Sequence, residues 1–277
     1  MSYSYLKCSC NLKNPIKVGD ITIETREWIE VSNGNFSVDL APLPGLHQES
    51  LPESFIDFTS KKFKTPSALF VREVFDIFTD VEEVQAESNK LLYIDLAKSP
   101  KEISSSLVED SIYKIKIGRD DLSLESLWLK ELLSNLSESI SVRLDGNMAF
   151  TVKDLNRYLE KLDLTRIQYI EEPLTNVRDW ETLDRRNELK LALDENISLR
   201  RELDFANYLV AKPTWNISLR DTLKELALEN QEVIISSAFE PPNNLKILNM
   251  IAREGDQVAG LDTLKFFYLE SLKVSPL

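Results

Sequence analysis

Hydrophobic and polar positions follow two rhythms along this chain. In the first ninety residues the pattern is strand-like and interrupted. Asp20 to Val31 (DITIETREWIEV) partly alternates, Asn33-Gly34-Asn35 marks a turn, and Phe36 to Leu40 resumes the alternation, which predicts a hairpin. Ala41 to Glu49, with two prolines and a glycine, reads as a loop, and His47 within it as a loop residue rather than a catalyst. Thr65-Pro66-Ser67 then opens an apolar-periodic stretch to Phe78, a helix with proline in its first turn.

From about Leu91 short apolar runs alternate with amphipathic ones. Strands are predicted at Leu91–Leu96, Tyr113–Ile117, Ser141–Asp145, Ile167–Glu171, Lys190–Asp194, Tyr208–Ala211 and Val233–Ser236. Helices are predicted at Leu124–Leu136, Val152–Leu162, Ser218–Glu229 and Asn244–Arg253. Strand ends recur every 17–28 residues, the βαβα spacing of parallel strands, and seven or eight such units close into a barrel. The expected fold class is therefore α/β, a modified (β/α) barrel with an α+β capping domain. Residues 1–90 form the cap, 91–260 form the barrel, and 261–277 return to the cap.

Composition narrows the function. The formal net charge is −13 over 277 residues. So acidic a surface repels phosphate backbones and anionic membranes, so neither nucleic acid nor membrane is an expected partner. No apolar run reaches the roughly 18–20 residues that span a bilayer, and the start of the chain does not read as a signal peptide. Cys8 and Cys10, two residues apart, are a poor disulfide framework and have no further cysteine to complete a thiolate site, so reduced thiols in a cytoplasm are expected. One histidine rules out multi-histidine zinc sites and any Ser-His-Asp or Cys-His triad that does not use His47. Seven glycines, with no G-x-G-x-x-G or G-x-x-x-x-G-K-[ST], leave no usual nucleotide cradle.

The chemistry lies where the predicted strands end. One strand carries Lys114 and Lys116, which alternation turns to the same side; the next carries Arg143 and ends at Asp145; the following ones end at Glu171, at Asp194 and, just past Ala211, at Lys212. In a β/α barrel these ends converge on the active-site face. Any one of the acids is accounted for equally well as a helix N-cap or first-turn residue. Any one lysine strand is equally well a snorkelling side chain. Three successive carboxylate-ending strands flanked by lysine strands point instead to a hard cation held by Asp145, Glu171 and Asp194, hence Mg²⁺, with Mn²⁺ as the alternative. Like charge and desolvation lower a lysine's pKa, so one of the Lys114–Lys116 pair is a candidate general base.

K-I-K (114–116), L-D-G-N (144–147), I-E-E-P (170–173), L-D-E-N (193–196) and A-K-P-T (211–214) together resemble the enolase superfamily, most closely its o-succinylbenzoate synthase branch of menaquinone biosynthesis. A-P-L-P-G-L-H-Q-E (41–49) resembles that family's substrate-covering loop, Thr25-Arg26 the end of its first mobile loop, and Ile235-Ser236-Ser237 and Gly260-Leu261-Asp262-Thr263 its last barrel strands. The resemblance implies Lys116 as base, Lys114 as its modulator and Lys212 on the substrate's other face. It implies substrate contacts from Arg143, Asn147, Ser236, Ser237, Pro44 and Gly45. The implied reaction is the Mg²⁺-assisted dehydration of 2-succinyl-6-hydroxy-2,4-cyclohexadiene-1-carboxylate, a small carboxylate, to o-succinylbenzoate.

Gly146 departs from the alanine often found after the first ligand. Phe239-Glu240-Pro241-Pro242-Asn243 departs from a small Ser/Gly-rich segment, which affects the succinyl side of the pocket. The chain is short for the superfamily, so some barrel helices are expected to be trimmed or missing. The same apparatus serves an N-acylamino-acid racemase or dipeptide epimerase. A catalytically inactive metal-binding barrel needs no lysine base. Nothing in the pattern specifies an oligomer.

Overall fold

The computed structural model describes residues 2–183, 189–228 and 231–277. By contacts they form two compact units, 1–87 with 211–277, and 88–210.

The first unit begins with an antiparallel meander of β1 (Ser4–Val18), β2 (Ile21–Ser32) and β3 (Ser37–Leu40). The predicted hairpin is β2–β3, and the Asn33 carboxamide oxygen closes its turn by accepting from the amides of Asn35 and Phe36 at 2.9 and 3.1 Å. The alternation did not mark β1 as a strand, because two of its inward positions, Cys8 and Cys10, are only weakly hydrophobic and sit between Lys7, Ser9 and Asn11. Both cysteines are free and buried, and burial pushes the Cys8 thiol up to about 11. Helix α1 (Leu51–Thr59), also unmarked, starts in a capping box formed by Ser50 and Glu53. Helix α2 (Pro66–Ile77) falls where the proline and the periodicity place it. Asp57 of α1 accepts from the amides of Lys64 and Thr65 at 2.6 and 2.7 Å and so joins the two helices.

The second unit is a run of parallel strands with helices between. In chain order these are β4 (Lys90–Leu92), α3 (Pro100–Ser106), β5 (Ile112–Lys116), α4 (Leu122–Asn135), β6 (Ser141–Asp145), α5 (Val152–Leu159), β7 (Ile167–Glu171), β8 (Leu191–Leu193) and β9 (Tyr208–Ala211). Neighbours in sequence are neighbours in the sheet, and every described pairing from β4 to β9 is parallel. The strand expected at Leu91–Leu96 ends at Leu92, because Asp95 starts a turn by accepting from the amide of Ala97 through its carboxylate and from that of Lys98 through its carbonyl. The described residues between β7 and β8, and those between β8 and β9, form only 3₁₀ turns (Val177–Thr182 and Ile197–Leu199), which is where the barrel is trimmed.

The chain then returns to the first unit through α6 (Leu219–Leu228), β10 (Glu232–Ile235) and α7 (Pro242–Ala252). It ends in β11 (Lys273–Pro276), which pairs antiparallel with β1 from Leu6↔Pro276 to Ser9↔Lys273. Cys8, Cys10, Leu12, Trp28, Leu43 and Phe267 form the core on this sheet, and Phe239 packs against it. Among the described residues no helix is long and apolar enough to cross a membrane.

Candidate active site

Strands β5, β6 and β7 run in register, with Lys114↔Arg143↔Tyr169 at one level and Lys116↔Asp145↔Glu171 at the next. The residues between, Ile115, Leu144 and Ile170, point the other way and are fully buried. This apolar side anchors the strands, and alternation then turns every charged residue of the set to the opposite side. Glu171 pairs with Ala192 of β8, so Asp194 stands just past the end of that strand.

The three acids are 3%, 1% and 3% exposed, which makes their charge costly unless it is countered. Lys114 counters it directly, with Nζ 3.0 Å from Asp145 Oδ2 and 2.6 Å from Glu171 Oε1. Burial alone lowers the Lys114 pKa, but Asp145, Glu171, Tyr169 and Asp194 outweigh it and hold the ammonium well above the ordinary lysine range. Lys116 lies more openly, its side chain 30% exposed against 12% for Lys114, with Nζ 2.9 Å from Asn147 Oδ1 and 3.7 Å from Asp145 Oδ2. The Asn147 amide also donates to Asp145.

Among the described residues no three His, Cys, Asp or Glu side chains are drawn together closely enough to hold a metal ion, and the cation lying between Asp145 and Glu171 is the Lys114 ammonium. The donor chemistry nonetheless fits a divalent ion: three buried carboxylates at successive strand ends, all of which act electrostatically on Lys114, oxygen donors only.

Three supports of this site were not read from the sequence. Glu172 is fully buried; it accepts from the amides of Asp194 and Asn196 at 2.8 and 3.3 Å and from the Asn196 side chain at 2.7 Å, which fixes the start of the loop carrying Asp194. Burial pushes its carboxyl up to about 7. Glu125 of α4 gathers the amides of Gly118 and Arg119 at 2.7 and 3.2 Å and the Tyr158 hydroxyl at 2.9 Å, and so shapes the loop after Lys116. Gly146 is the third: a Cβ there would lie 2.6 Å from Pro173 Cα, because the loops after β6 and β7 run close, with Met148 N–H donating to Glu172 O at 2.6 Å. The departure from alanine at this position is a steric requirement. The doubled acid of E-E-P and the glycine after Asp145 were the available signals.

Arg143 is fully buried, donates to Gln168 Oε1 at 2.9 Å and Asn89 Oδ1 at 3.1 Å, and lies 5.2 Å from the Tyr169 ring centre. In that placement it supports the strand ladder. Lys212, Ser236, Ser237, Pro44 and Gly45 belong to the other unit. There Ser236 Oγ donates to Gly260 O at 3.3 Å, and Ser237 Oγ lies 2.9 Å from Thr263 Oγ1 and accepts from Glu240 N–H at 3.1 Å. Gly45 has φ +83°, with a Cβ position 2.6 Å from Val18 O, so no side chain fits there. Phe239 (φ 57°) stacks at 5.6 Å on Phe266, so the departing segment is part of the unit's packing.

No family model matches the sequence. The chain is 24% identical over 269 residues to the o-succinylbenzoate synthase of Yersinia enterocolitica, covering 86% of this chain and 81% of that protein. It is 23% identical over 282 residues to that of Aliivibrio fischeri, covering 90% and 84%. Along most of its length the chain is thus similar to o-succinylbenzoate synthases, at 23–24% identity. The fold agrees. The crystal structure of o-succinylbenzoate synthase from Thermosynechococcus elongatus, complexed with Mg in its active site, superposes with a TM-score of 0.75 at 18% identity over 96% of this chain and 94% of that one. The L-Ala-D/L-Glu epimerase of Bacillus subtilis follows at 0.74 and 13% identity, over 100% and 96%. The fold, a modified barrel with an antiparallel sheet, is shared with these structures.

Proposed function

We propose that this protein is a metal-assisted lyase that dehydrates 2-succinyl-6-hydroxy-2,4-cyclohexadiene-1-carboxylate to o-succinylbenzoate. The observation that carries the reading is the buried Lys114 ammonium held by Asp145 and Glu171 and by the charge of buried Asp194, with Lys116 more exposed beside it. Asp145, Glu171 and Asp194 would hold Mg²⁺, or Mn²⁺ in its place. When bound, the ion supplies Lewis-acid stabilisation to the substrate carboxylate on which negative charge grows.

The chain's own residues divide the remaining work. Lys116, the more open of the two amines, takes the proton next to that carboxylate; acting as a base it works from its neutral form. Lys114, pinned by two carboxylates, keeps its charge and orders the acids. Asn147 fixes the Lys116 amine through a 2.9 Å hydrogen bond. Lys212 is assigned to stabilise the planar anion by charge and cation–π attraction as hydroxide departs and the ring becomes aromatic. Pro44, Gly45, Ser236 and Ser237 are assigned to the substrate's succinyl side. We keep residues 1–90 with 261–277 as the capping domain and 91–260 as the barrel, and place the reaction in a cytoplasm.

Epimerisation is the second reading, favoured by the structural likeness to an L-Ala-D/L-Glu epimerase and by lysines at two separate strand ends. An absorbance assay with the cyclohexadiene and Mg²⁺, run beside N-succinyl amino acids, separates the two. Dehydration is the expected result, and racemisation without dehydration would replace the reading.

A further inference from the structure

The one histidine of the chain sits in a position that the proposed chemistry does not use. His47 is 8% exposed. Its Nδ1 accepts from Leu43 N–H at 2.9 Å, and its Nε2 lies 3.0 Å from the carbonyl oxygen of Thr214. An acceptor at Nδ1 leaves the ring proton on Nε2, where the Thr214 carbonyl needs a donor, so one neutral tautomer satisfies both bonds. Pro44 and Gly45 lie between Leu43 and His47, in a turn closed by Leu46 N–H and His47 N–H donating to Leu43 O at 3.1 and 3.0 Å.

The other end of the tie is the segment of Lys212. Lys212 N–H donates to Asn216 Oδ1 at 2.8 Å, and its carbonyl accepts from the amides of Trp215 and Asn216 at 2.8 and 3.1 Å, which closes a tight turn. The Lys212 ammonium lies 5.2 Å from the Trp215 ring centre. Thr214, at the middle of the turn and 3% exposed, is held twice: by His47 on its carbonyl, and through its hydroxyl, which donates to Glu240 Oε1 at 2.6 Å. Glu240 is itself fixed by Asn244 Nδ2 at 3.0 Å. A second tie runs from Arg26, which donates to the carbonyls of Ala41 and Pro42 at 2.8 and 3.0 Å and to that of Phe239 at 3.3 Å.

We propose that His47 is a positioning residue that joins the Pro44–Gly45 loop to the turn of Lys212, so that the shape of this loop sets where the Lys212 ammonium stands. The proposal rests on the reading of Lys212 as a substrate-facing cation. Two substitutions separate the two halves of the imidazole's task. In His47→Asn the shorter side chain keeps an acceptor for Leu43 N–H and does not reach Thr214. In His47→Gln the longer amide reaches the Thr214 carbonyl and gives up Leu43.

Amide hydrogen exchange of the peptide spanning 212–217, read without substrate, is expected to rise by about 5–10-fold in His47→Asn, the size of one net hydrogen bond, and to stay near wild type in His47→Gln. In the dehydration assay kcat should fall by a similar factor in His47→Asn with KM within about twofold, and His47→Gln should restore it. Unchanged exchange in His47→Asn, equal losses in both variants, or failure of both to fold would each overturn the proposal, since His47 would then be a packing residue. Because the exchange measurement needs no turnover, a wild-type protein without dehydratase activity would sink the functional reading while leaving this test standing.

Discussion

Two regions of this molecule handle buried charge in opposite ways. In the first unit, Arg26 donates to three backbone carbonyls, and Glu240 accepts from Thr214 and Asn244 through its two oxygens, so each charge is hydrogen-bonded within the unit. At the ends of β5 to β8, Asp145 and Glu171 pin Lys114, Asp194 acts on it through its charge, and Lys116 lies 3.7 Å from Asp145. The first arrangement is self-contained and holds loops in place. The second concentrates negative charge and keeps the ammonium of Lys116 accessible, as binding a cation and moving a proton require. The difference separates groups whose loss should unfold the chain from groups whose loss should only stop it working.

The largest effect that tests this contrast is removal of divalent metal. Chelation is expected to abolish turnover with the secondary structure intact, and Mg²⁺ to restore it; full activity in the presence of chelator would break the metal reading. Next comes Lys116→Ala, expected to lower kcat by roughly 10²–10⁴-fold with unchanged circular dichroism. Retained activity would take Lys116 out of the role of base. Arg26→Ala should do the reverse and cost roughly 3–5 kcal/mol of stability, read by urea denaturation, because three buried carbonyls and the charges of Glu240 and Asp39 lose their partner. A loss below about 1 kcal/mol would show that the network is not what holds these loops.

Gly146→Ala should cost about 1–3 kcal/mol by forcing apart the loops after β6 and β7, and should weaken Mg²⁺ affinity at the same time. A neutral outcome in a melting experiment would deny the close approach. The last effect concerns pH. Burial pushes Asp39 up to about 7, against its ordinary value near 3.8. The folded chain therefore holds a proton there that the unfolded chain has released. The stabilising contribution is complete below about pH 4 and is lost as pH rises through about 7. Denaturant midpoints between pH 4 and 7 should fall less steeply in Asp39→Asn, by up to about 1.4 kcal/mol per pH unit, and identical slopes would assign the pH dependence elsewhere.

Much of the site was legible because its signals are local. A strand's period of two turns Lys114 and Lys116 to one side, and counting strands places Asp145, Glu171 and Asp194 at successive ends. The hairpin announced itself through Asn33-Gly34, and α2 through Pro66. The roles of Glu172, Glu125 and His47 were illegible, since each takes its meaning from partners far along the chain: Asp194 and Asn196, Tyr158, and Thr214. Arg143 shows the limit most plainly. Its alternation matches that of Asp145 two residues on, yet one level along the strand separates a group at the rim from one enclosed by Gln168, Asn89 and Tyr169.

By itself, then, the sequence determined which residue types stand at which strand ends, because backbone alternation and turn chemistry act over a few residues. Only the tertiary structure decided that Lys114 is the pinned ammonium and Lys116 the open one, that position 146 admits no side chain, and that a loop histidine grips the turn of Lys212. These depend on distances between segments tens to more than a hundred residues apart, which packing sets and local pattern does not encode.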